Sequence, residues 1–341
     1  MLKNKQNLPI LLGLAAAVVA IGSILLLLKN LPTSVTKFSG VELAQKLSLV
    51  GNLSGHNDVV SALAIAADNR TAISGSHDRT IKQWDLGENK LLRTLKGHQQ
   101  PILAVAIDPQ SKIIASGGID DEIQLWDAKT GAKTRQLPQP SKGAWVTSLA
   151  IDSEGRNLWA GRTGNTIDRW NLETGAITQT YKDSTAPVLS IALSNNGQML
   201  AGGSSDRQVR IWYAGTGQLL RSLPGHKGWV TSVVISPDGK NLATGSIDNT
   251  IVIWDIATGS KLKTFAHAYS VSALAISPDG LILASGGFDG EIKLWDLNSA
   301  QNIRTFPSAH SKVVTALTFS PDGQTLLSGS ADREIKVWRG N

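Results

Sequence analysis

Two kinds of apolar pattern divide the chain. From Leu8 to Leu28 runs a stretch of 21 residues without a charge, LPILLGLAAAVVAIGSILLLL. Beyond Lys46 the apolar residues come in short runs instead, alternating with small or polar ones as in VSALAI, closed by a turn such as SPDG and followed by a second β-rich run such as LILASGG. A period of two is the signature of a strand with one buried face, and glycine-bearing turns between two such runs signal hairpins. The turn glycines Gly155, Gly197, Gly239, Gly280 and Gly323 keep a common beat.

Seven tryptophans set that beat. They close the segments TIKQWD (Trp84), EIQLWD (Trp126), TIDRWN (Trp170), QVRIWY (Trp212), TIVIWD (Trp254), EIKLWD (Trp295) and EIKVWR (Trp338), at spacings of 42, 44, 42, 42, 41 and 43 residues. A period of this size built of short strands predicts an all-β fold, a seven-bladed β-propeller with four strands to a blade. Such a ring can be one domain despite the length of 341 residues.

Other positions repeat in phase with the tryptophan. A histidine precedes it by 28 residues in five units, at His56, His98, His226, His267 and His310. Ten residues before the same tryptophans stand Ser74, Ser116, Thr244, Ser285 and Ser328, and six before stand Asp78, Asp120, Asp248, Asp289 and Asp332. With its Gly-His and Trp-Asp signatures, the region from about Lys46 to Gly340 resembles the WD-repeat family. That resemblance implies a hydrogen-bonded tetrad in each intact blade, running from Asp to His, from His to Ser or Thr, and from the hydroxyl to the indole of Trp84, Trp126, Trp254, Trp295 or Trp338. Such a chain of mutually satisfied groups can be buried and can tie strands together. Asp, His and Ser also form hydrolase triads, but a nucleophile is needed once, whereas these residues recur five times. The regular repeats and SPDG turns look similar to those of prokaryotic members.

The last unit stops just after Trp338, in its third strand, while KLSLVGNLSGH ahead of the first unit resembles the outer strand and loop of other units, LLRTLKGH and QLLRSLPGH. The N-terminal strand is therefore expected to complete the last blade and to leave no free edge at the seam. This divides the chain into a basic tail (1–7), the apolar segment (8–28), a tether (29–45) and the propeller (46–341).

As a helix the apolar segment would span about 30 Å, enough to cross a bilayer. It can be read as an uncleaved transmembrane anchor, a cleaved export signal or a buried core helix. Its length exceeds the usual signal core, and no small-residue cleavage site follows LLLL, which favours the anchor. Lys3 and Lys5 on one side nearly balance Lys29, Lys37 and Lys46 on the other. The layout of a short basic tail before the first apolar segment places the propeller outside the cytoplasm.

Two units depart from the pattern. At Trp170 the tetrad positions read Lys142, Ala160 and Gly164, and at Trp212 they read Ser184, Gly202 and Asp206. No tetrad is expected in the first, and only the aspartate remains in the second. Trp159 in RNLWAGR, where other units are read as having Ile or Leu, is taken as a packing substitution. The pair reads either as drift or as a specialised docking region.

The resemblance also implies that the His loop and the Asp loop share one face, the top, where partners touch the residue three after the histidine and the residue just before the aspartate. By position the first set is Val59, Pro101, Trp145, Pro187, Trp229, Ser270 and Val313. The second is His77, Ile119, Thr163, Ser205, Ile247, Phe288 and Ala331. Trp145, Trp229 and Phe288, with Ile119, Ile247 and His77, are the candidate partner-binding residues, since aromatic side chains in exposed loops anchor interfaces. The alternative is partial burial against neighbouring loops.

Composition narrows the function classes. There is no Cys, and the only His outside the repeated position is His77. No Gly-rich loop leads from a strand into a helix, so neither a catalytic constellation nor a cofactor or metal site is indicated. Net charge is +6, but three lysines lie within residues 1–30, which leaves 30 basic against 27 acidic residues, a surplus of three. Arg79, Arg207 and Arg333 are scattered, so nucleic acid is not an expected partner. The reading is a non-enzymatic, membrane-tethered platform for protein partners. The alternative is a propeller-fold enzyme or sensor domain outside the cytoplasm.

Overall fold

The computed structural model describes residues 40–140 and 142–340. The chain begins with a short helix, α1 (Gly40–Lys46), followed by the strand β1 (Leu47–Leu53). Then come 27 strands that, with β1, form seven four-stranded antiparallel sheets. Blade 1 takes Val60–Ile65, Thr71–Ser76, Thr80–Asp85 and Lys90–Lys96 from inside to outside, and blades 2 to 6 repeat this order. Blade 7 has three strands of its own, and β1 pairs as the fourth with Ile335–Gly340, in a register from Leu47 opposite Gly340 to Leu53 opposite Ile335. The first and last strands of the propeller thus lie side by side.

Between blades the core is a series of sandwiches. Ile73, Ile81 and Leu95 of blade 1 pack on Ile102, Val105 and Trp126 of blade 2, and Ile251, Ile253 and Phe265 of blade 5 on Val271, Leu274 and Trp295 of blade 6. A glycine in the second strand makes the approach possible. A Cβ on Gly245 would stand 2.6 Å from Val271 Cγ1, and Gly75, Gly203, Gly286 and Gly329 face the next blade's inner strand as closely. In every blade the ladder between the two inner strands slips by one residue, leaving Ser61, Leu103, Thr147, Leu189, Thr231, Ser272 and Thr315 as bulged residues. Where this residue carries a hydroxyl it donates across the seam: Ser61 to the Ile102 carbonyl at 2.6 Å, Thr147 to Val188 at 2.6 Å, Thr231 to Val271 at 2.6 Å and Ser272 to Val314 at 2.5 Å. Thr315 does the same to Val60 across the closing seam. These residues line a central cavity of about 280 Å³.

The helix α1 covers the segment 40–46, at the end of the expected tether, and enters at the rim opposite the His56 loop, which we call the bottom. Ala44 is buried, and Arg304 of blade 6 donates to the Gln45 carbonyl at 2.6 Å. No helix among the described residues is long and apolar enough to cross a membrane. The expected anchor, residues 8–28, lies outside the described residues.

Candidate functional site

In blade 1, His56 Nδ1 lies 2.8 Å from Asp78 Oδ2 and Nε2 lies 2.7 Å from Ser74 Oγ, which accepts the Trp84 indole N–H at 2.8 Å. Blade 2 has 2.8, 2.8 and 2.9 Å for the links Asp120–His98, His98–Ser116 and Ser116–Trp126. Blade 5 has 3.0, 2.8 and 2.9 Å for Asp248–His226, His226–Thr244 and Thr244–Trp254. Blade 7 has 3.0, 2.8 and 2.9 Å for Asp332–His310, His310–Ser328 and Ser328–Trp338. The two ends fix the polarity. An ionised carboxylate can only accept and an indole can only donate, so His donates from Nδ1 and the hydroxyl donates to Nε2. Burial lowers the pKa of His226 and His310, which favours the neutral imidazole this order requires. Burial alone would raise Asp78 and Asp248, but hydrogen bonds from the histidine, the turn threonine and a backbone amide prevail, and Asp248 is held at about 2.

Blade 6 corrects the expected fifth tetrad. Trp295 donates to Ser285 at 2.8 Å, but His267 Nδ1 is 4.0 Å from Asp289, and both buried ring nitrogens lack a hydrogen-bond partner. The backbone contact that fastens the His loop in the other four blades, an amide donating to the same carboxylate oxygen (Asn57 to Asp78 at 3.0 Å, for example), is missing here.

The two divergent blades hold substitutes. In blade 3, Arg162 puts Nε 3.1 Å from Asp168, donates from Nη1 to the Ala144 carbonyl at 3.0 Å and lies over the Trp170 ring at 5.4 Å. The Trp170 indole N–H is buried without a partner. Burial pushes the Asp168 carboxyl up and the Arg162 guanidinium down, against the pull of Thr180 on the one and of the pair's mutual attraction on both. In blade 4 the Trp212 indole donates to Asp183 at 2.7 Å, and Asp206 pairs with Arg210 at 2.8 Å. Trp159 is buried and bonds Tyr181, which bonds the Ala214 carbonyl of the next blade. Its strand-register equivalents are Ile73, Leu327 and alanine in four blades, not Ile or Leu throughout.

On the top, the two sets of loop residues lie side by side. In each blade the amide of the residue before the aspartate position donates to the carbonyl of the residue three after the histidine position, at 2.9 to 3.1 Å, as from His77 to Val59 and from Ile247 to Trp229. The pairs are therefore held by backbone, whatever the side chains. Trp145 is 44% exposed, Trp229 53%, Phe288 54% and Ile247 36%. Ile119 and His77 are half-buried.

Seven such blades, closed by the N-terminal strand, accompany a sequence match to the WD domain, G-beta repeat, over residues 47–85, 89–127, 175–213, 217–255, 259–296 and 300–339. The chain belongs to the WD40-repeat family. Each matched repeat begins with the outer strand of the preceding blade, as the closure requires. Residues 128–174, which include most of the blade built on Arg162 and Asp168, fall outside the match. No curated protein matches the chain.

Three features of this WD40 propeller were not singled out in the sequence. Tyr269, beside Ser270, is 58% exposed on the top of blade 6 and adds an aromatic next to Phe288. On the bottom, cations nine residues after the tryptophan clamp the next turn: Arg93 donates to the Lys129 carbonyl at 2.6 Å, Arg135 to Glu173 at 2.9 Å, Arg221 to Ile256 at 3.2 Å and Lys263 to Asn298 at 2.7 Å. Finally, His98, Asp120 and Glu122 bring ligand-capable atoms within 4.8 Å of one another. Both His98 nitrogens are engaged in the tetrad and Glu122 accepts from Gln124 at 2.7 Å, so the trio is accounted for without a metal.

Proposed function

We propose that this WD40 propeller is a non-enzymatic docking platform that holds protein partners on its top face. WD40 propellers are generally non-enzymatic scaffolds that bind proteins, and the fold is consistent with that role. The observation that carries the top-face reading is the exposure of Trp145, Trp229 and Phe288 at loop positions fixed by backbone hydrogen bonds. Large apolar side chains held rigidly in water lose little conformational freedom on docking and gain apolar contact. Ile247 widens this ring, and the half-buried Ile119 and His77 contribute its shallower part. The uncharged segment 8–28 supports a retained membrane anchor, and the short basic tail ahead of it supports a propeller outside the cytoplasm. N-terminal sequencing that begins at or beyond Gly22 would reject retention, and reporter fusions after Asn341 read the side.

The test is capture of partners from solubilised membranes by the intact chain and by a triple variant, Trp145→Ser, Trp229→Ser and Phe288→Ser. Each buried aromatic anchor carries about 2 kcal/mol or more, so the triple variant should abolish a micromolar complex while melting like the parent. Changing the bottom-turn residues Asp238, Asp279 and Asp322 to Asn should leave capture intact. The reverse result would overturn the reading, and a triple variant that does not fold would assign these aromatics to the core.

A further inference from the structure

Blade 1 carries a cleft of about 500 Å³ on its top rim, lined by Asn57, Asp78, Arg79, Lys82, Thr94 and Lys96 among others. Three cations face one carboxylate there, and that carboxylate is committed elsewhere. Asp78 Oδ2 accepts from His56 at 2.8 Å and from the Asn57 amide at 3.0 Å, and Oδ1 accepts from the Thr80 amide and hydroxyl at 2.9 and 2.6 Å. Lys82 is only 8% exposed, yet its ammonium has a single neutral partner, the Thr94 hydroxyl at 2.9 Å, and no carboxylate within ion-pair distance among the described residues. Its basic equivalents in blades 4 and 6 are paired with carboxylates, while the less buried Lys336 of blade 7 donates to the Ala309 carbonyl. Lys293 lies 3.5 Å from Glu291 and Arg210 lies 2.8 Å from Asp206. A buried ammonium uses three donors when satisfied, so Lys82 keeps two in reserve.

We propose that this cleft is an anion pocket that receives the carboxylate side chains of an acidic segment on a protein partner. The inference rests on the docking role proposed above and supplies the chemistry of its partner. The pocket is local, and the propeller as a whole holds a basic surplus of only three, which is too little for the extended phosphate track a nucleic acid needs. Lys82 and Arg79 would each gain a charge-assisted hydrogen bond, the stronger class of such contacts.

The experiment measures fluorescence anisotropy of labelled oligoglutamate with the full chain in detergent at low salt, beside oligoglutamine and oligothymidylate. Lys82→Met keeps the length and packing of the stem while removing the charge. A double variant, Arg79→Ser with Lys96→Ser, alters exposed residues and gives a second reading should the buried change disturb folding. Arg207→Ser, at the same turn position in blade 4, controls for diffuse charge. Oligoglutamate should bind, oligoglutamine should not, and each cleft variant should weaken binding about tenfold or more, with Arg207→Ser unchanged. No binding by the parent, equal loss in Arg207→Ser, or tighter binding of oligothymidylate lost in the same variants would each overturn the proposal. Because the probe is a defined peptide and the aromatic ring stays intact, failure here leaves the top-ring reading standing, and failure of ring capture leaves this pocket standing.

Discussion

Removing one histidine should expose how unevenly the blades are locked. In blade 5, His226→Ala deletes a bond to Asp248 of 3.0 Å and one to Thr244 of 2.8 Å. The first is charge-assisted and is worth about 1.5–3 kcal/mol, the second about 1 kcal/mol. Neither partner is wholly orphaned. Asp248 keeps the Lys227 amide and Thr250, and Thr244 keeps Trp254 and can turn its freed proton to the Val252 carbonyl, 3.3 Å away. The edge contact of the imidazole with the Trp254 ring, 6.4 Å between centroids, is also lost. Together these give a loss of about 2.5–4 kcal/mol. His267→Ala in blade 6 removes an imidazole of the same size and burial that makes no such bonds, so only packing is lost and the cost should be near 1 kcal/mol. Lys142→Ala, at the exposed equivalent position in blade 3, should change stability by less than about 0.5 kcal/mol. Urea melts of the three variants, with equal m-values, read the order directly. Equal losses for His226→Ala and His267→Ala would refute the assignment of stability to the hydrogen bonds and leave only the volume of the ring.

The seam between blades and the buried titratable groups make two further tests. Gly245→Ala sets a Cβ 2.6 Å from the branched Val271 side chain and should cost about 1–3 kcal/mol, whereas Gly215→Ala meets nothing within 4 Å and should be near neutral; thermal melts that rank them the other way would reject the close-packed seam. Burial depresses His226, His267 and His310, so unfolding takes up protons as the pH drops below about 6.5, and stability should fall there. A second fall is expected below about pH 4, as the pH approaches the values of depressed carboxylates such as Asp248, held at about 2; urea midpoints that stay flat from pH 8 to 4 would contradict the first fall, and midpoints flat from pH 4 to 2 the second.

What the sequence could convey was whatever repeats. The tryptophan period, the His, hydroxyl and Asp spacings, and the likeness of KLSLVGNLSGH to the outer strands each state a local rule seven or five times, and strands and seam follow from them. The substitutes in blades 3 and 4 escape such a rule because each occurs once. Asp183 takes the place that glycine holds before His56, and only the fold brings its carboxylate to the Trp212 indole. Arg162 stands where Ser76 stands in blade 1, and nothing along the chain says that its guanidinium turns inward to Asp168. The bottom cations do keep a beat, but their acceptors are backbone carbonyls some 35 residues away, which no side-chain pattern records. Blade 6 carries His267, Ser285 and Asp289 at the same spacings as the intact blades, so nothing along the chain marks that its ring nitrogens go without partners.

The pairing of β1 with the final strand has a consequence for how the protein is born. Ser48 and Arg339 meet although 291 positions separate them. Joining strands that far apart in sequence costs about 3 kcal/mol more entropy than closing a ten-residue hairpin. Leu47–Leu53 leaves the ribosome ahead of every other strand of the propeller, yet its partner is the last to be made. Through the whole of synthesis a ready strand waits without its neighbour, an edge open to wrong partners. Once the final strand of the propeller arrives, that order is reversed: each end of the ring holds the other in place, and neither can peel away without first losing its pairing with the strand made at the other end.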